Sequence, residues 1–527
     1  MQGLARVRSL AIVDGYNDEP GGLGVPPYLD VYPRYIAGAV WSVEKSARVD
    51  YVTIDVVRRG LRSYLKRLSR YDAVAIIAGV VVPGRYIGGK PAEPGEVLSL
   101  VRSLSRHTQV YLVGPAATWG LGLEGGRPAV SPRAFKRAGA VLVTGDPDAF
   151  FAELARYGPE RARPWARRES YESLDRPAVL GARIARQHPS YGANLIAEIE
   201  TYRGCARWVS GGCSFCVEPL RGRPRARPPE SIVREVEALY KWGVRGFRLG
   251  RQADILVYGS RGLGSEEWPA PDPEELRRLF AGIRAVAPRL DVLHIDNVNP
   301  GTIARHPGES ARALKVIVEY HTPGDVAAMG LETADPRVAR INNLNTTPDE
   351  ALEAIRIVNR VGRHRGWNGL PHLLPGLNFI LGLPGETSET YRLNREFLER
   401  ILAEDLLVRR VNVRRLLPVP ATRVFRMKHG VRGRREKHAK SFTYYVRNVF
   451  EREMLRRVAP PGTVLRGLWV EACESSYCYA RQPGSYPIAV AIRRRLPIRS
   501  YLPSVRVTGL KSGRSLIGEP VEGENYF

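Results

Sequence analysis

Short apolar runs alternate with amphipathic segments through the first 150 residues. Five of these runs are rich in β-branched residues and are bounded by glycine, proline or aspartate: LAIVDGY, YVTIDVV, AVAIIAGVVV, VYLVGPA and AVLVTGD. Strands without a polar face are typical of parallel sheets that helices cover on both sides. We therefore predict that residues 1–155 form an α/β domain of parallel βαβ units, which is Rossmann-like.

The pattern is interrupted between residues 156 and 193. The stretch RYGPERARPWARRESYESLDRP is rich in arginine and proline and has no clean hydrophobic period. Such a composition is typical of a connecting segment. We predict an Arg/Pro-rich linker that lies along the surface.

Strand and helix patterns then alternate about six times within residues 194–425. The candidate strands are NLIAEIETY, VRGFRLG, LDVLHID, VAAMGLE, GLNFILG and VRRVNVRRLL. Helix signals separate them, for example the capping box of Thr347 and Glu350 and the apolar face of Ile232, Val236 and Leu239. Six such repeats predict a partial (β/α)6 barrel, whose chemistry belongs at the C-terminal ends of the strands.

The last hundred residues change character twice. Residues 426–460 are basic and then helical, and we interpret them as a connector. Residues 461–527 hold the short runs VLRGLWVEA, YCYARQ, IAVAIRRRL, SVRVTG and SLIGEPV, with tight turns between them. This spacing predicts a small C-terminal β-barrel of the kind that binds oligonucleotides.

Composition is that of a soluble protein in a reducing compartment. Hydrophobic residues make up 44% of the chain, and no uninterrupted apolar run reaches the roughly 18–20 residues that a membrane helix needs. The N-terminal stretch contains acidic residues and has no cleavage site, so we interpret it as a first strand. Five cysteines in 527 residues do not form a disulfide scaffold. We therefore expect a cytoplasmic protein with no membrane contact.

The charge is strongly unbalanced. Lys and Arg number 80 against 54 Asp and Glu, so the formal net charge is +26. A heat-adapted surface is the alternative interpretation, but such surfaces mostly pair the two signs. An excess of this size favours a polyanionic partner, most simply RNA or DNA.

Three of the five cysteines lie in one short stretch, CARWVSGGCSFC, at Cys205, Cys213 and Cys216. The first predicted barrel strand leads directly into this stretch, which places it at the reactive end of the barrel. A structural zinc takes four ligands, and no histidine lies between His188 and His294. A catalytic zinc, an iron–sulfur cluster with one open iron, and three buried apolar cysteines all remain possible from these residues.

This loop resembles that of the radical SAM enzymes, whose usual spacing is C-x3-C-x2-C with an aromatic residue before the last cysteine. Here the spacing is C-x7-C-x2-C, with Phe215 at the aromatic position. The longer first gap is similar to that of an archaeal branch related to the tRNA methylthiotransferases and elongator-type enzymes. The resemblance implies that Cys205, Cys213 and Cys216 bind a 4Fe-4S cluster.

Two later segments follow in the order that the family has. MGLET, which contains Glu332, resembles the segment that contacts the ribose and amino-acid end of S-adenosylmethionine. NFILGLPGE, which contains Ile380 and Gly382, resembles the segment near its adenine. The resemblance implies that Phe215, Glu332, Ile380 and Gly382 bind S-adenosylmethionine, and that a reduced cluster cleaves it to a 5′-deoxyadenosyl radical. It also implies a one-electron donor protein, and it assigns no catalytic residue beyond the cluster.

The flanking domains resemble known neighbours of such barrels. The N-terminal domain is similar to cobalamin-binding domains, but GYNDEPGG lacks the histidine of their D-x-H-x-x-G loop. We therefore expect no cobalamin. The C-terminal segment resembles the RNA-binding barrel of the tRNA methylthiotransferases. Four arginines after the cysteine loop are candidate RNA contacts, with solvated surface residues as the alternative: Arg221, Arg223, Arg225 and Arg227.

Cys473 and Cys478 supply only two ligands, and we interpret them as buried or disulfide-prone. A second cluster in the N-terminal domain is excluded, because Cys205 is the first cysteine of the chain. The leading hypothesis is a radical SAM enzyme that modifies RNA, with tRNA as the favoured substrate. The alternatives are the same chemistry on a small molecule or peptide, and a non-catalytic RNA-binding protein with a structural metal.

Overall fold

A parallel sheet of five strands forms the N-terminal part of the protein, as predicted. The computed structural model describes residues 7–17, 28–79, 89–122, 125–428, 430, 434–474 and 476–521. The strands of this region are β1 (Ser9–Asp14), β2 (Tyr28–Leu29), β3 (Arg48–Thr53), β4 (Ala73–Ile77), β5 (Gln109–Val113) and β6 (Val141–Leu142). The sheet has the order β3-β1-β4-β5-β6, and β2 pairs instead with a strand of the following barrel.

The helices of this region are α1 (Val31–Val43), α2 (Ile54–Arg59), α3 (Leu61–Leu68), α4 (Pro94–Leu104), α5 (Pro115–Trp119), α6 (Pro132–Arg137), α7 (Pro147–Tyr157) and α8 (Glu172–Gly181). Helix α1 is buried along most of its length. Its apolar side chains belong to one core that runs from the first sheet into the barrel. The N-terminal domain and the barrel therefore share a hydrophobic core.

The prediction of a surface linker over residues 156–193 is wrong for its second half. Helix α8 and the 3-10 helix Ala182–Gln187 pack against α1 and are largely buried. A Cβ atom on Gly38 would lie 1.7 Å from the carbonyl oxygen of Pro177, so the two helix backbones are in direct contact. The linker composition hides this packing because small residues, and not a long apolar stripe, form the contact.

The six predicted barrel strands are all present. They are β7 (Ile196–Glu200), β8 (Gly246–Gly250), β9 (Val292–Ile295) with its short continuation β10 (Asn297–Val298), β11 (Asp325–Glu332), β12 (Leu373–Leu381) and β13 (Arg410–Arg415). They form two four-stranded parallel sheets, β2-β7-β8-β9 and β10-β11-β12-β13, and one residue, Asp296, separates β9 from β10. Strand β2 was not predicted, because two residues carry no detectable period.

The barrel helices are α9 (Pro229–Lys241), α10 (Pro273–Val286), α11 (Pro300–Arg305), α12 (Pro307–Tyr320), α13 (Pro336–Ile341), α14 (Pro348–Gly362) and α15 (Ser388–Ala403). The predicted capping box of α14 is confirmed. Side chains such as Ile199 and Leu249 pack beneath these helices, so the alternate residues face the barrel interior. Many of those are polar, including Glu198, Arg248 and Asn378, and a polar interior is typical of a barrel that holds a polar ligand.

The C-terminal part is helical and then forms a closed five-stranded barrel, as predicted. Its elements are α16 (Arg434–Tyr445), a π-helix (Val446–Phe450), α17 (Glu451–Val458), β14 (Val464–Glu474), β15 (Tyr477–Arg481), β16 (Ala489–Ile492), β17 (Tyr501–Ser512) and β18 (Ser515–Pro520). The barrel has the order β14-β15-β16-β18-β17 and closes between β17 and β14. Cys473 and Cys478 face each other in β14 and β15 and form a disulfide.

The loop between β15 and β16 inserts into the large barrel at the end where its strands begin. The backbone N–H of Ser485 donates to Nδ1 of His294 (3.1 Å), and Arg409 donates to the carbonyl oxygen of Tyr486 (2.7 Å). The guanidinium of Arg410 lies 4.2 Å from the centre of the Tyr486 ring. These contacts cover the end of the large barrel opposite the cysteine loop. In the described part of the chain, no helix has the length and apolar character needed to span a bilayer.

Candidate functional site

The cysteine loop begins where β7 ends, at the C-terminal end of the barrel. Cys205 precedes a short 3-10 helix, Ala206–Ser210, and Cys213 and Cys216 follow it. All three cysteines are free, and each residue is half-buried. The structure thus brings together the three predicted ligands at the predicted end of the barrel.

Arg207 anchors the loop from inside. Its guanidinium donates to the Sγ atom of Cys213 (3.3 Å), to the carbonyl oxygen of Asn343 (2.8 Å) and to a carboxylate oxygen of Glu267 (2.8 Å). The side chain is 2% exposed. A buried cation in hydrogen-bond contact favours the thiolate form of Cys213, which is the form that binds metals.

Asn342 ties the loop to the segment after β12. Its Oδ1 atom accepts from the Ser214 hydroxyl (2.7 Å), and its backbone carbonyl accepts from the Ser214 N–H (2.9 Å). Its Nδ2 atom donates to the carbonyl oxygen of Pro384 (2.9 Å) and to that of Val338 (2.9 Å). One buried side chain therefore fixes the distance between two segments that were both predicted to face S-adenosylmethionine.

The pKa values of the thiols are raised by burial and by one another. Burial raises the pKa of Cys205 to about 12, and Cys213 adds to the rise. Burial also raises the pKa of Cys216 well above its ordinary value, with Cys213 again contributing. Thiols in this state ionise only when a positive metal centre compensates their charge. The donor set therefore fits a group that brings its own positive charge.

The spacing of the thiols does not fit a single metal ion. Within the described ranges, no three His, Cys, Asp or Glu side chains are placed to hold one metal ion. A zinc site needs its ligands at about 2.0–2.3 Å from one atom. A four-iron cluster instead takes each thiolate at a different corner.

Phe215 and Ile380 lie in one apolar group. Both pack against a buried cluster that includes Leu383, and Gly382 stands between the two halves of that segment. Gly382 has φ +95°, a conformation that favours glycine, and its N–H donates to a Glu386 carboxylate oxygen (2.8 Å). Two of the four residues predicted to bind S-adenosylmethionine, Phe215 and Ile380, thus pack against one apolar cluster, and Gly382 lies between Ile380 and Leu383 in the sequence.

Glu332 is the fourth of these residues, and its backbone is strained. The pairing of β11 with β12 has a bulge between Gly330 and Glu332, and Glu332 has φ +66°. Its Oε2 atom is buried and has no hydrogen-bond partner in the described structure. Burial raises the pKa of this carboxyl to about 8, and the charge of Arg414 opposes the rise. Bulges and strained residues commonly aim a side chain at a ligand.

Comparison with known proteins decides the family. A sequence profile of the Radical SAM superfamily matches residues 199–398. An uncharacterised protein of Methanocaldococcus jannaschii is 42% identical over 91% of this chain and 88% of its own length. The chain belongs to the radical SAM superfamily. Membership implies a 4Fe-4S cluster and S-adenosylmethionine as cofactors, as the cysteine loop predicts.

Other similar proteins are more distant from this radical SAM protein. The ribosomal protein uS12 methylthiotransferase RimO of Geobacter sulfurreducens is 32% identical over 40% of this chain and 40% of its own length. The radical S-adenosylmethionine methyltransferase TsrM of Kitasatospora setae, solved with cobalamin and a 4Fe-4S cluster, covers 79% of this chain and 77% of its own. Its TM-score is 0.51 at 16% identity, which establishes a shared fold. A second TsrM structure, with tryptophan and an S-adenosylmethionine analogue, has the same TM-score at 15% identity and covers 89% of this chain and 79% of its own.

The expectation that this radical SAM protein binds no cobalamin finds no support in the comparison, since the TsrM structure holds that cofactor. The segment from which the expectation came, GYNDEPGG, lies largely outside the described residues. Other parts of the N-terminal domain contact the end of the barrel that carries the cysteine loop. Gly126 donates to the carbonyl oxygen of Leu416 (2.7 Å), and Ala129 packs with Val217, the residue after Cys216. The N-terminal domain therefore borders the cysteine loop.

The four predicted RNA-binding arginines of this radical SAM protein have different environments. Arg223 and Arg225 are exposed, and Arg221 pairs with Glu218 (3.0 Å). Arg227 is fully buried and forms an ion pair with Glu235, so the prediction is wrong for this residue. A buried arginine requires a buried carboxylate partner, and that partner lies on the next helix. The spacing of the four arginines in the sequence does not show which of them is turned inward.

Sequence reasoning missed Arg207 and Asn342, which position the loop of this radical SAM protein without being ligands. Their partners lie up to 136 residues away in sequence. The pair Asn342–Asn343 just after α13 gave no signal of these contacts, because asparagine at a helix end usually bonds neighbouring backbone groups.

Proposed function

We propose that Cys205, Cys213 and Cys216 hold the 4Fe-4S cluster and that the enzyme modifies RNA, with tRNA as the substrate class. The observation that supports the RNA substrate is the distribution of positive charge. Exposed cations follow the cysteine loop and β13 in the sequence and continue along α16 and the π-helix: Arg223, Arg225, Arg414, Arg415, Arg423, Arg426, Lys428, Lys440 and Arg447. A polyanion attracted by the net charge of +26 would meet the protein where the reactive group is held.

The residues around the thiols have separate tasks in this proposal. Cys205, Cys213 and Cys216 would hold the cluster, which would supply the electron for cleavage of S-adenosylmethionine. Arg207 stabilises the thiolate of Cys213 through its 3.3 Å hydrogen bond. Phe215 and Ile380 form an apolar wall that excludes water from the site. The buried Oε2 atom of Glu332 is available to accept a hydrogen bond from a bound ligand, such as a ribose hydroxyl.

A small molecule or peptide is the second candidate substrate. Among the solved proteins, TsrM was crystallised with tryptophan, and among the sequence relatives RimO is named for a ribosomal protein. The polar barrel interior would hold such a substrate as readily as a nucleotide. In that case the exposed cations named above would have no role in substrate binding. Methylthiolation that uses a second iron–sulfur cluster in the N-terminal domain is not proposed, because no cysteine precedes Cys205 in this sequence.

The cluster assignment is tested by anaerobic reconstitution with iron and sulfide, reduction by dithionite, and detection of 5′-deoxyadenosine. Cys213→Ala should lose the iron–sulfur absorbance and the nucleoside product. Cys478→Ala, which removes a cysteine from the C-terminal barrel, is the matched control and should retain both. Wild-type protein that binds no iron after reconstitution would refute the assignment.

The substrate assignment needs a separate measurement. Binding to bulk tRNA should weaken steeply as salt rises, because phosphate contacts release counterions. Nucleoside mass spectrometry of RNA from a strain lacking the gene should then show one missing modification. Binding that does not depend on salt, together with unchanged nucleosides, would favour the small-molecule or peptide substrate. In the 5′-deoxyadenosine assay, a one-electron donor protein should support product formation in place of dithionite.

A further inference from the structure

An open pocket lies beside the last barrel strand, on the side away from the barrel interior. It has a volume of about 400 Å³ and lies between the end of β13 and the helices α16 and Val446–Phe450. Aliphatic side chains of β12 and β13 contribute to its lining. Its polar lining includes Arg414, Arg415, Lys440, Tyr444, Arg447 and Asn448.

The charges of this pocket are unbalanced. Glu436 pairs with Arg415 and lies 3.9 Å from Lys440. Arg447 forms no ion pair with any carboxylate of the described residues, and it is exposed. Arg415, Lys440 and Arg447 therefore share one carboxylate among the described residues, in a concave site. Like charges held this close repel one another, and an anionic ligand removes that cost.

The helix that lines the pocket changes its winding at this point. Residues Val446–Phe450 form a π-helix between α16 and α17. Val446 and Phe450 stay in the core, whereas Arg447 and Asn448 are exposed in the pocket. Insertion of a π-turn into an α-helix weakens its hydrogen bonding, and such turns are frequent at functional sites. The distortion is therefore a second indication that this segment binds a ligand.

Tyr444 adds a flat apolar surface to the cationic lining. Its side chain is 66% exposed, although the adjacent Tyr445 is buried. An exposed aromatic ring among cations is the arrangement on which single-stranded nucleic acids stack their bases. The amide of Asn448 lies in the same pocket. Its Nδ2 atom donates one hydrogen to the carbonyl oxygen of Tyr444 (3.1 Å), which leaves the second N–H and the Oδ1 atom for a base edge.

We propose that this pocket binds one nucleotide of a single-stranded segment of the RNA substrate. Lys440 and Arg447 contact its phosphates, Tyr444 stacks on its base, and Asn448 bonds its edge. The inference rests on the RNA substrate of the proposed function. Its position agrees with that function, because Arg414 lines the pocket and its charge also acts on Glu332. A nucleotide bound here would lie on the outer side of the strand whose Arg414 acts on Glu332.

The electrostatic part is tested by fluorescence anisotropy with a labelled single-stranded RNA over a series of KCl concentrations. The pocket variant is Lys440→Ala with Arg447→Ala. The matched control is Lys437→Ala with Arg452→Ala, two exposed cations of the same helical run that do not line the pocket. Loss of two phosphate contacts should reduce the slope of log affinity against log salt by about 1.4, whereas the control should keep the wild-type slope.

The stacking part is tested with Tyr444→Ala and Tyr444→Phe. The alanine variant should bind the RNA roughly tenfold more weakly, and the phenylalanine variant should bind as wild type does. Thermal unfolding and iron content report whether each variant is folded. Wild-type affinity and slope in all pocket variants would overturn this inference while leaving the RNA substrate intact. Equal binding of DNA, with equal loss in the variants, would overturn the assignment to RNA. No salt-dependent binding by the wild-type protein would remove the RNA substrate as well.

Discussion

Replacement of Asn342 by alanine tests whether the cysteine loop depends on a remote tether. The side chain makes three hydrogen bonds, to the Ser214 hydroxyl, Pro384 and Val338, at 2.7–2.9 Å. The Ser214 hydroxyl and the Pro384 carbonyl lose this partner in Asn342→Ala. Each lost buried hydrogen bond costs about 1–2 kcal/mol, so we expect the free energy of unfolding to fall by roughly 2–4 kcal/mol.

A second buried asparagine provides a matched control. Asn359 donates to the carbonyl oxygens of Ile355 (2.9 Å) and Leu407 (3.0 Å), and its Oδ1 atom accepts from the Leu407 N–H (2.8 Å). It is 2% exposed, and it lies in α14, away from the cysteine loop. Asn359→Ala removes the same number of hydrogen bonds, two donated to carbonyl oxygens and one accepted, and should cost a similar free energy of unfolding.

The two variants should differ in cluster retention. Both are reconstituted anaerobically and desalted, and iron per chain and 5′-deoxyadenosine formation are then measured beside guanidinium unfolding. Asn342→Ala should lose most of its iron, because the loop no longer holds its position against Pro384. Asn359→Ala should retain wild-type iron. Equal iron in the two variants would show that the tether has no role beyond general stability.

Three further predictions concern the fold. Burial raises the pKa of Asp14 from 3.8 to about 7, so the native state binds more protons than the unfolded chain between these values, and the free energy of unfolding falls as pH rises across them. Asp14→Asn should remove a slope of about 1 kcal/mol per pH unit, measured by chemical unfolding at pH 5 and pH 7. Gly38→Ala should lower Tm strongly, because its Cβ would lie 1.7 Å from the Pro177 carbonyl oxygen, whereas Gly95→Ala, with nothing within 4 Å, should leave Tm unchanged or slightly raised. Cys478→Ser, which opens the disulfide of the C-terminal barrel, should cost about 2 kcal/mol and leave iron per chain unchanged.

Much of the architecture follows from local patterns in the sequence. The five N-terminal strands, the six barrel strands and the five strands of the C-terminal barrel were all predicted. Alternation of apolar residues, capping boxes such as Thr347 with Glu350, and turn residues are signals within a few neighbouring positions. The cysteine loop was also predictable, because three thiols within one short stretch have few chemical uses.

Contacts between remote segments were decided by the tertiary structure. Arg227 differs from Arg223 in exposure because Glu235 and the packing of α1 and α8 enclose it, and its sequence neighbours show none of this. Helix α8 was predicted as a linker, because its packing depends on Gly38, far away in the chain. Asn342 holds the cysteine loop through a partner 128 residues earlier. Periodicity determines which face of an element is apolar, but which distant group satisfies a buried charge or amide is determined only when the chain folds.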